Sequence, residues 1–251
     1  MITYQIIEGA KASKNAKKFT PSPEGVAMAN IPGWELLIDP DHVTSSTVQN
    51  RCIRNTFCEL VSGSINLGTF ANGQKAFNPT DALPIRINPN LEFPIDAWSL
   101  IFVAKPDVKT GVDLNTIITA NTYTADKITP SVAFSASTTT FRIMKGGALS
   151  DLERRLTYTP SVPLSEKVSV YIVTGSIANG LAIYQDGVLV ASNSNKDLIN
   201  DQWQAGEWNI LRGARGLFGM IGLLSIDLND PLNAEYRNQM NDFLMQKYAI
   251  V

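Results

Sequence analysis

The sequence predicts an all-β fold, an antiparallel sandwich closed by a single C-terminal α-helix. Residues 168–174 place Val168, Val170 and Ile172 between more polar neighbours, the period-two signature of a half-buried strand. Asn179-Gly180 and Asp186-Gly187 then separate runs of β-forming residues. Asp-Gly between such runs marks a tight hairpin, because a type I′ turn needs two positive φ values. Near the end, Leu232, Tyr236, Met240, Phe243, Leu244 and Tyr248 fall at helical spacing and form one apolar stripe.

Residues 1–30 read as an N-terminal arm or linker, and residues 31–251 as one domain. The arm opens on a strand-like run at 2–7 and then carries Lys11, Lys14, Lys17 and Lys18. Pro21 and Pro23 follow, the punctuation of an extended segment rather than of a core. The lysines suit either an acidic partner or a solvated basic turn. Because an isolated domain gains little from such an arm, it is expected to support assembly, its first run adding an edge strand to a neighbour. The alternative is an edge strand of its own sandwich.

The domain begins with a strand at 34–38, turned by Asp39-Pro40-Asp41-His42. Residues 43–60 read as a short helix or irregular chain, with Ser46 and Gln49 at capping-box spacing. Strands are expected at 65–70 and 85–87, set apart by Asn72-Gly73 and Asn78-Pro79, and at 98–104, stopped by Lys105-Pro106. Residues 115–121, 132–137 and 138–144 continue the pattern. Residues 149–159 suit a helix in the first half and a strand in the second. Strands at 181–185, 188–191 and 217–227 complete the set. Asp230 and Pro231 suit a helix start, the aspartate as cap and the proline in the first turn. That helix should pack on a sheet edge or on the first strand, with Phe243 and Leu244 buried.

With 251 residues, 44% of them apolar, the chain can bury a sizeable core. The formal net charge of -2 leaves no basic footprint, so no nucleic-acid partner is expected. No apolar run approaches the ~20 residues of a spanning helix, so no membrane insertion is expected. The first eight residues are too short and too polar for a signal peptide, which points to synthesis in the cytoplasm. Cys52 and Cys58 fit no metal-ligand spacing, and two reduced, half-buried thiols are expected rather than a bridge.

Tyr184, Asp186, Gly187 and Val188 resemble the Tyr-x-Asp-Gly-Val hairpin of laminin G-like and concanavalin A-like domains. Phe218, Gly219 and Ile221 resemble that family's next landmark, a Phe-Gly-x-Ile strand. Leu232 and Glu235 through Lys247, Tyr248 and Ile250 look like the ending of many bacterial and phage members. Trp98 to Val103 resembles the strand that opens the family's core. The landmarks come in the family's order and cover the chain from about Ile31 onward. The resemblance implies a concanavalin A-like (laminin G-like) antiparallel β-sandwich jelly roll with a C-terminal α-helix. It also implies calcium as a possible cofactor at the sheet rim. Oxygen ligands would come from Asn193, Asn195 and Asp197, or from Asp107 and Asp113, although Ca²⁺ takes six to eight oxygens and neither loop alone supplies them.

Glycosidases share this architecture, but their acid/base chemistry needs two carboxylates on one face, at i and i+2 or i+4 of a strand. The Glu-x-Asp-x-x-Glu triplet of the jelly-roll glucanases is missing, and Asp39 and Asp41 straddle a proline, which turn chemistry explains. The single histidine, His42, would have to serve any Ser-His or Cys-His pair, and no Gly-x-Ser-x-Gly elbow accompanies it. No catalytic residue is therefore assigned. For binding, Trp203 with Arg212 and Arg215 offers a flat apolar platform beside rigid donors that suit a sugar. Tyr158, with Arg154 and Arg155, makes a second such group. Trp208 is assigned to the core, whereas Trp203 suits core and rim equally.

The expected function is that of a non-enzymatic phage or prophage virion protein, from tail, fibre or head decoration. Its jelly roll would mediate adhesion to host surface glycan or assembly with other virion subunits. Homo-oligomers and residence in the virion, after synthesis in the host cytoplasm, follow from that reading. The alternatives are a glycoside hydrolase or lyase on the same fold, or a bacterial lectin.

Overall fold

The computed structural model describes residues 28–44, 46–52, 56–62, 64–94, 96–109, 114–120, 127–128, 131–144, 147–148, 155–195 and 208–250. The first strands are β1 (Trp34–Ile38), β2 (Thr47–Asn50), β3 (Thr56–Ser62), β4 (Leu67–Thr69), β5 (Lys75–Phe77) and β6 (Arg86–Asn88). Next come β7 (Ala97–Pro106), β8 (Asn115–Ala120), β9 (Lys127–Ile128), β10 (Ser131–Phe134), β11 (Phe141–Met144), β12 (Gly147–Ala148) and β13 (Arg155–Tyr158). Last are β14 (Ser169–Ser176), β15 (Gly180–Gln185), β16 (Val188–Asn193), β17 (Trp208–Ile210) and β18 (Gly216–Leu224), then α1 (Ala234–Tyr248).

Two eight-stranded antiparallel sheets face each other. One runs β16-β15-β14-β7-β18-β5-β4, with β1 also on β18, and the other runs β13-β11-β10-β8-β17-β6-β3-β2. On its side away from β7, β18 is shared: Phe218 pairs with Phe77 of β5, and residues from Ile221 to Leu224 pair with β1. This is the sandwich that the strand pattern predicts.

The first sheet is buried on both faces, which the period-two reading of residues 168–174 did not foresee. Leu100, Phe102, Tyr171, Val173, Ile183 and Phe218 point between the sheets. There they meet Ile118, Val132, Phe134, Phe141 and Ile210 of the second sheet. The alternate residues Ile101, Val103, Val170, Ile172, Tyr184 and Leu224 point outward and meet Met240, Leu244 and Tyr248 of α1. All eight positions of β14 are consequently buried. The helix lies across the outer face of the sheet rather than on its edge. Each large apolar side chain so covered contributes about 1.5–3 kcal/mol.

Residues 47–50 and 56–62 form a hairpin, not the helix or irregular chain expected there. Val48 pairs with Cys58 and Asn50 with Thr56. Thr44 Oγ1 accepts the Thr47 N–H at 3.0 Å, so the hydroxyl closes a turn where a capping box was expected. Both cysteines are free thiols. Burial pushes each of them up to about 12, so neither is a thiolate near neutrality.

Asp230 caps as expected, accepting the Leu232 N–H at 2.9 Å, but it caps a 3-10 turn, Pro231–Asn233, that precedes α1. That turn takes Leu232 out of the helical stripe, while Met240, Leu244 and Tyr248 keep it. Leu232 is 89% exposed and Phe243 only half-buried, whereas Leu244 is fully buried. At the other end Lys247 Nζ binds Asp39 Oδ2 at 2.8 Å, and Arg51 joins it at 3.3 Å. The helix is thereby tied to the turn that follows β1. The strand-like run at 2–7 lies outside the described residues. Met28 is buried in the outer layer and its carbonyl accepts Trp34 Nε1–H at 3.1 Å.

Candidate functional site

β14 begins at Ser169 opposite Ala104 of β7, and β18 begins at Gly216 opposite Pro106. The β15–β16 turn and the segment from β13 to β14 therefore lie at the same end of the sandwich. Asp186 has φ 51° and Gly187 φ 81°, the two positive values of the expected type I′ turn. Tyr158 is the cross-strand partner of core residue Phe141, so its ring faces inward between the sheets. These elements enclose a cleft of about 330 Å³. One wall is apolar, with Tyr158, Val162, Pro163 and Val188, and the other is polar, with Gln185, Asp186 and Lys167.

The polar wall is tightly bonded. Asp186 Oδ2 accepts Lys167 Nζ at 2.7 Å and Ser169 Oγ–H at 3.1 Å, and its Oδ1 accepts the Val170 N–H at 2.8 Å. Gln185 Nε2 donates to Ser169 Oγ at 3.0 Å. Behind it stands Tyr171, the cross-strand partner of Gln185 and stacked on Phe102 at 5.2 Å. Burial pushes the Tyr171 phenol up; a side-chain hydrogen bond with Ser169 acts the other way, and the charge of Asp186 and the Tyr158 phenol add to the rise.

The other nominated residues lie elsewhere. Arg215 is at the same end, three strand positions away at the start of β18, about 14 Å at the spacing of paired strands. It pairs with Asp81 and donates from Nη1 to the Val108 carbonyl at 3.3 Å, so it holds loops together. Arg212 is exposed beside it. Asn193 and Asn195 are at the opposite end of β16, where Asn193 Oδ1 accepts the Asn195 N–H at 2.9 Å. Asp107 spends its backbone on Arg215 and Asn115. Trp203, Asp197, Asp113 and Arg154 lie outside the described residues. Among the described residues no group of three or more His, Cys, Asp or Glu could hold a metal ion. Trp208 is core as expected, donating its indole N–H to the Leu91 carbonyl and meeting Phe93 edge-on.

The opposite end holds a second cleft, of about 540 Å³, whose lining includes Asp96, Asp227 and Asp230. Asp227 is saturated by Ser176 Oγ–H at 2.6 Å, Asn179 Nδ2–H at 2.7 Å and the Asn229 N–H at 2.8 Å. Asp230 caps. Both carboxylates are spent on structure. His42 is exposed on its turn.

Of the cleft, sequence reasoning found Tyr158 and the Asp-Gly turn. It missed Gln185, which adjoins that turn in the chain, and Lys167 and Ser169, which lie 19 and 17 residues from Asp186 and reach it only in space. Their polar character inside an otherwise apolar hairpin was the available signal.

No family model matches this chain, and the comparison with curated proteins finds no match. Solved structures do match. The binding domain of Paraclostridial Mosquitocidal Protein 1 is 14% identical over 84% of this chain, with a TM-score of 0.56. A structure of botulinum neurotoxin type C, whose cell entry depends on interaction with two ganglioside molecules, is 12% identical over 84%, at 0.54. The receptor-binding domain of botulinum neurotoxin D is 14% identical over 83%, at 0.53. This chain spans 52–53% of the length of those chains. The likeness is one of fold, a β-sandwich found in binding domains.

Proposed function

We propose that this protein is a non-enzymatic adhesion module that binds glycan on a host surface. The observation that carries the reading is the rim cleft, where an inward-facing Tyr158 and Val162 stand opposite a bonded Gln185–Asp186–Lys167 wall. An aromatic and aliphatic face with a few fixed polar groups is what a small-molecule site requires. The receptor-binding domains that share the fold support it. Trp203, Arg212 and Arg215 remain candidates for secondary contacts, and Asn193, Asn195 and Asp197 for calcium.

The finer reading is a phage or prophage virion component, tail, fibre or head decoration, made in the host cytoplasm and displayed in several copies. β16 supports display by self-association. Among the described residues it is an outermost strand, its six residues carry no charge and no proline, and Val188 and Leu189 are 63% and 48% exposed. Such an edge is a template for pairing with another chain.

A glycan array run with the full chain, beside a reducing-end assay on host polysaccharide, tests the reading. Binding without release of reducing ends is expected. Release that a single Asp or Glu substitution abolishes would replace adhesion with hydrolysis.

A further inference from the structure

Among the described residues the two large sheets present five strand edges, and four of them are blunted. β4 is three residues long. β13 is four long and opens on Arg155. β2, also four long, takes Val43 in a bridge and donates the Gln49 N–H to the His42 carbonyl at 3.1 Å. On the open side of β1, Asn50 Oδ1 accepts the Leu37 N–H and Asn50 Nδ2 donates to the Glu35 carbonyl, both at 3.1 Å. The Arg51 N–H takes the Leu37 carbonyl at 2.8 Å. Short length, charge and a covered backbone are how native sheets keep their edges from pairing. β16 has six residues and none of these guards. Its one irregularity is a register shift beside Ile183 and Tyr184, which leaves Val190 without a partner on β15. Such a bulge strengthens the local twist, and pairing is regular again from Ala191 to Asn193.

Resting on the reading of display in several copies, we infer that β16 pairs antiparallel with β16 of a second copy about a two-fold axis. The two first sheets then join into one. An isologous pair covers both open edges in one step and closes, whereas a different chain would leave an edge of its own open. Nothing on β16 opposes its own copy, because like charges across a pair repel and this strand has none. The seam also covers apolar surface. Val188 and Leu189 are exposed at the turn end of the strand, and the exposed Val162 lines the cleft beside Val188. One strand from each copy buries less than a standard interface, so the pair dissociates on dilution.

Sedimentation velocity and light scattering on the full chain, across a dilution series, test the seam. The mass should fall by about half on dilution. Leu189→Lys changes an exposed side chain and sets a lysine against its own copy. It should hold the lower mass throughout, with an unchanged melting temperature. Leu189→Glu should do the same, and an equimolar mixture of the two variants should recover the higher mass, because opposite charges then meet across the seam. Ile177→Lys, similarly exposed at the opposite end of the sandwich, should leave the mass as it is. A multimer that Leu189→Lys leaves intact, one that Ile177→Lys breaks equally well, or a mixture that stays dissociated overturns the seam and leaves display in several copies standing. A full chain that keeps the lower mass at every concentration sinks both.

Discussion

Tyr248 fills a gap that β18 makes for it. The register of β18 against β7 shifts between Phe218 and Ile221, and this irregularity frees the Met220 N–H from the ladder. The Tyr248 hydroxyl accepts that N–H at 2.8 Å. The ring lies so close that a Cβ on Gly219 would sit 2.7 Å from it, so glycine is required there for approach. Phe70 packs edge-on against the other side of the ring at 5.2 Å. Tyr248→Phe keeps the packing and strands a buried donor, which should cost about 1–3 kcal/mol. A urea midpoint that does not move would show that water takes the place of the hydroxyl.

At the scale of elements, α1 is held by a layer of apolar contacts and by one buried ion pair. Leu244 is enclosed on all sides, so Leu244→Ala should cost about 3 kcal/mol, within the range for large core truncations. Phe243, half-exposed, should cost roughly a third of that. Equal losses from the two would place the helix in a different rotation. The ion pair gives a pH signature. Burial by itself would raise the Asp39 carboxyl, but the Lys247 ammonium, the Asp41 N–H and the Arg51 guanidinium outweigh it and hold it below the ordinary value. A depressed carboxylate stabilises the fold above its unfolded value, and that contribution is lost as pH falls through the folded value. The melting temperature should therefore show no loss from this group until about pH 4, near the unfolded carboxyl value, and fall below it. Asp39→Asn leaves Lys247 short of a partner and should cost about 3 kcal/mol at neutral pH. It should also remove this group's share of the acid-side slope, and an unaltered slope would assign the acid sensitivity to other carboxylates.

For the whole molecule, the boundary between arm and domain becomes a matter of packing. Met28 sits in the outer layer and its carbonyl holds Trp34, so the domain takes in residues ahead of Ile31. Removing residues 1–27 should leave the melting temperature unchanged, whereas removing 1–29 should lower it. We propose that the arm serves assembly. Light scattering should then find the shorter deletion reduced in mass relative to the full chain. If the 1–27 deletion instead unfolds or aggregates, the arm belongs to the core and the assembly role fails.

Most strand positions outside 75–77 and 208–210, the Asp186-Gly187 turn, the cap at Asp230 and the burial of Trp208 were legible in the sequence, because each depends on residues close in the chain or on a local period. Residues 47–62 were not. Thr44, Thr47 and Thr56 can serve a turn, a cap or a ladder, and only pairing of Val48 with Cys58 against β6 selects the hairpin. The burial of β14 on both faces depended on where a helix more than fifty residues later comes to lie, which no local period encodes. The same holds for the cleft. Tyr158 carries a visible aromatic signal, but its meeting with Gln185 and Asp186 is made by β13, at the edge of one sheet, and by β15, next to the edge of the other. Local chemistry fixes what each segment prefers; which side chains then share a wall is decided by long-range pairing and by the layer that covers each face.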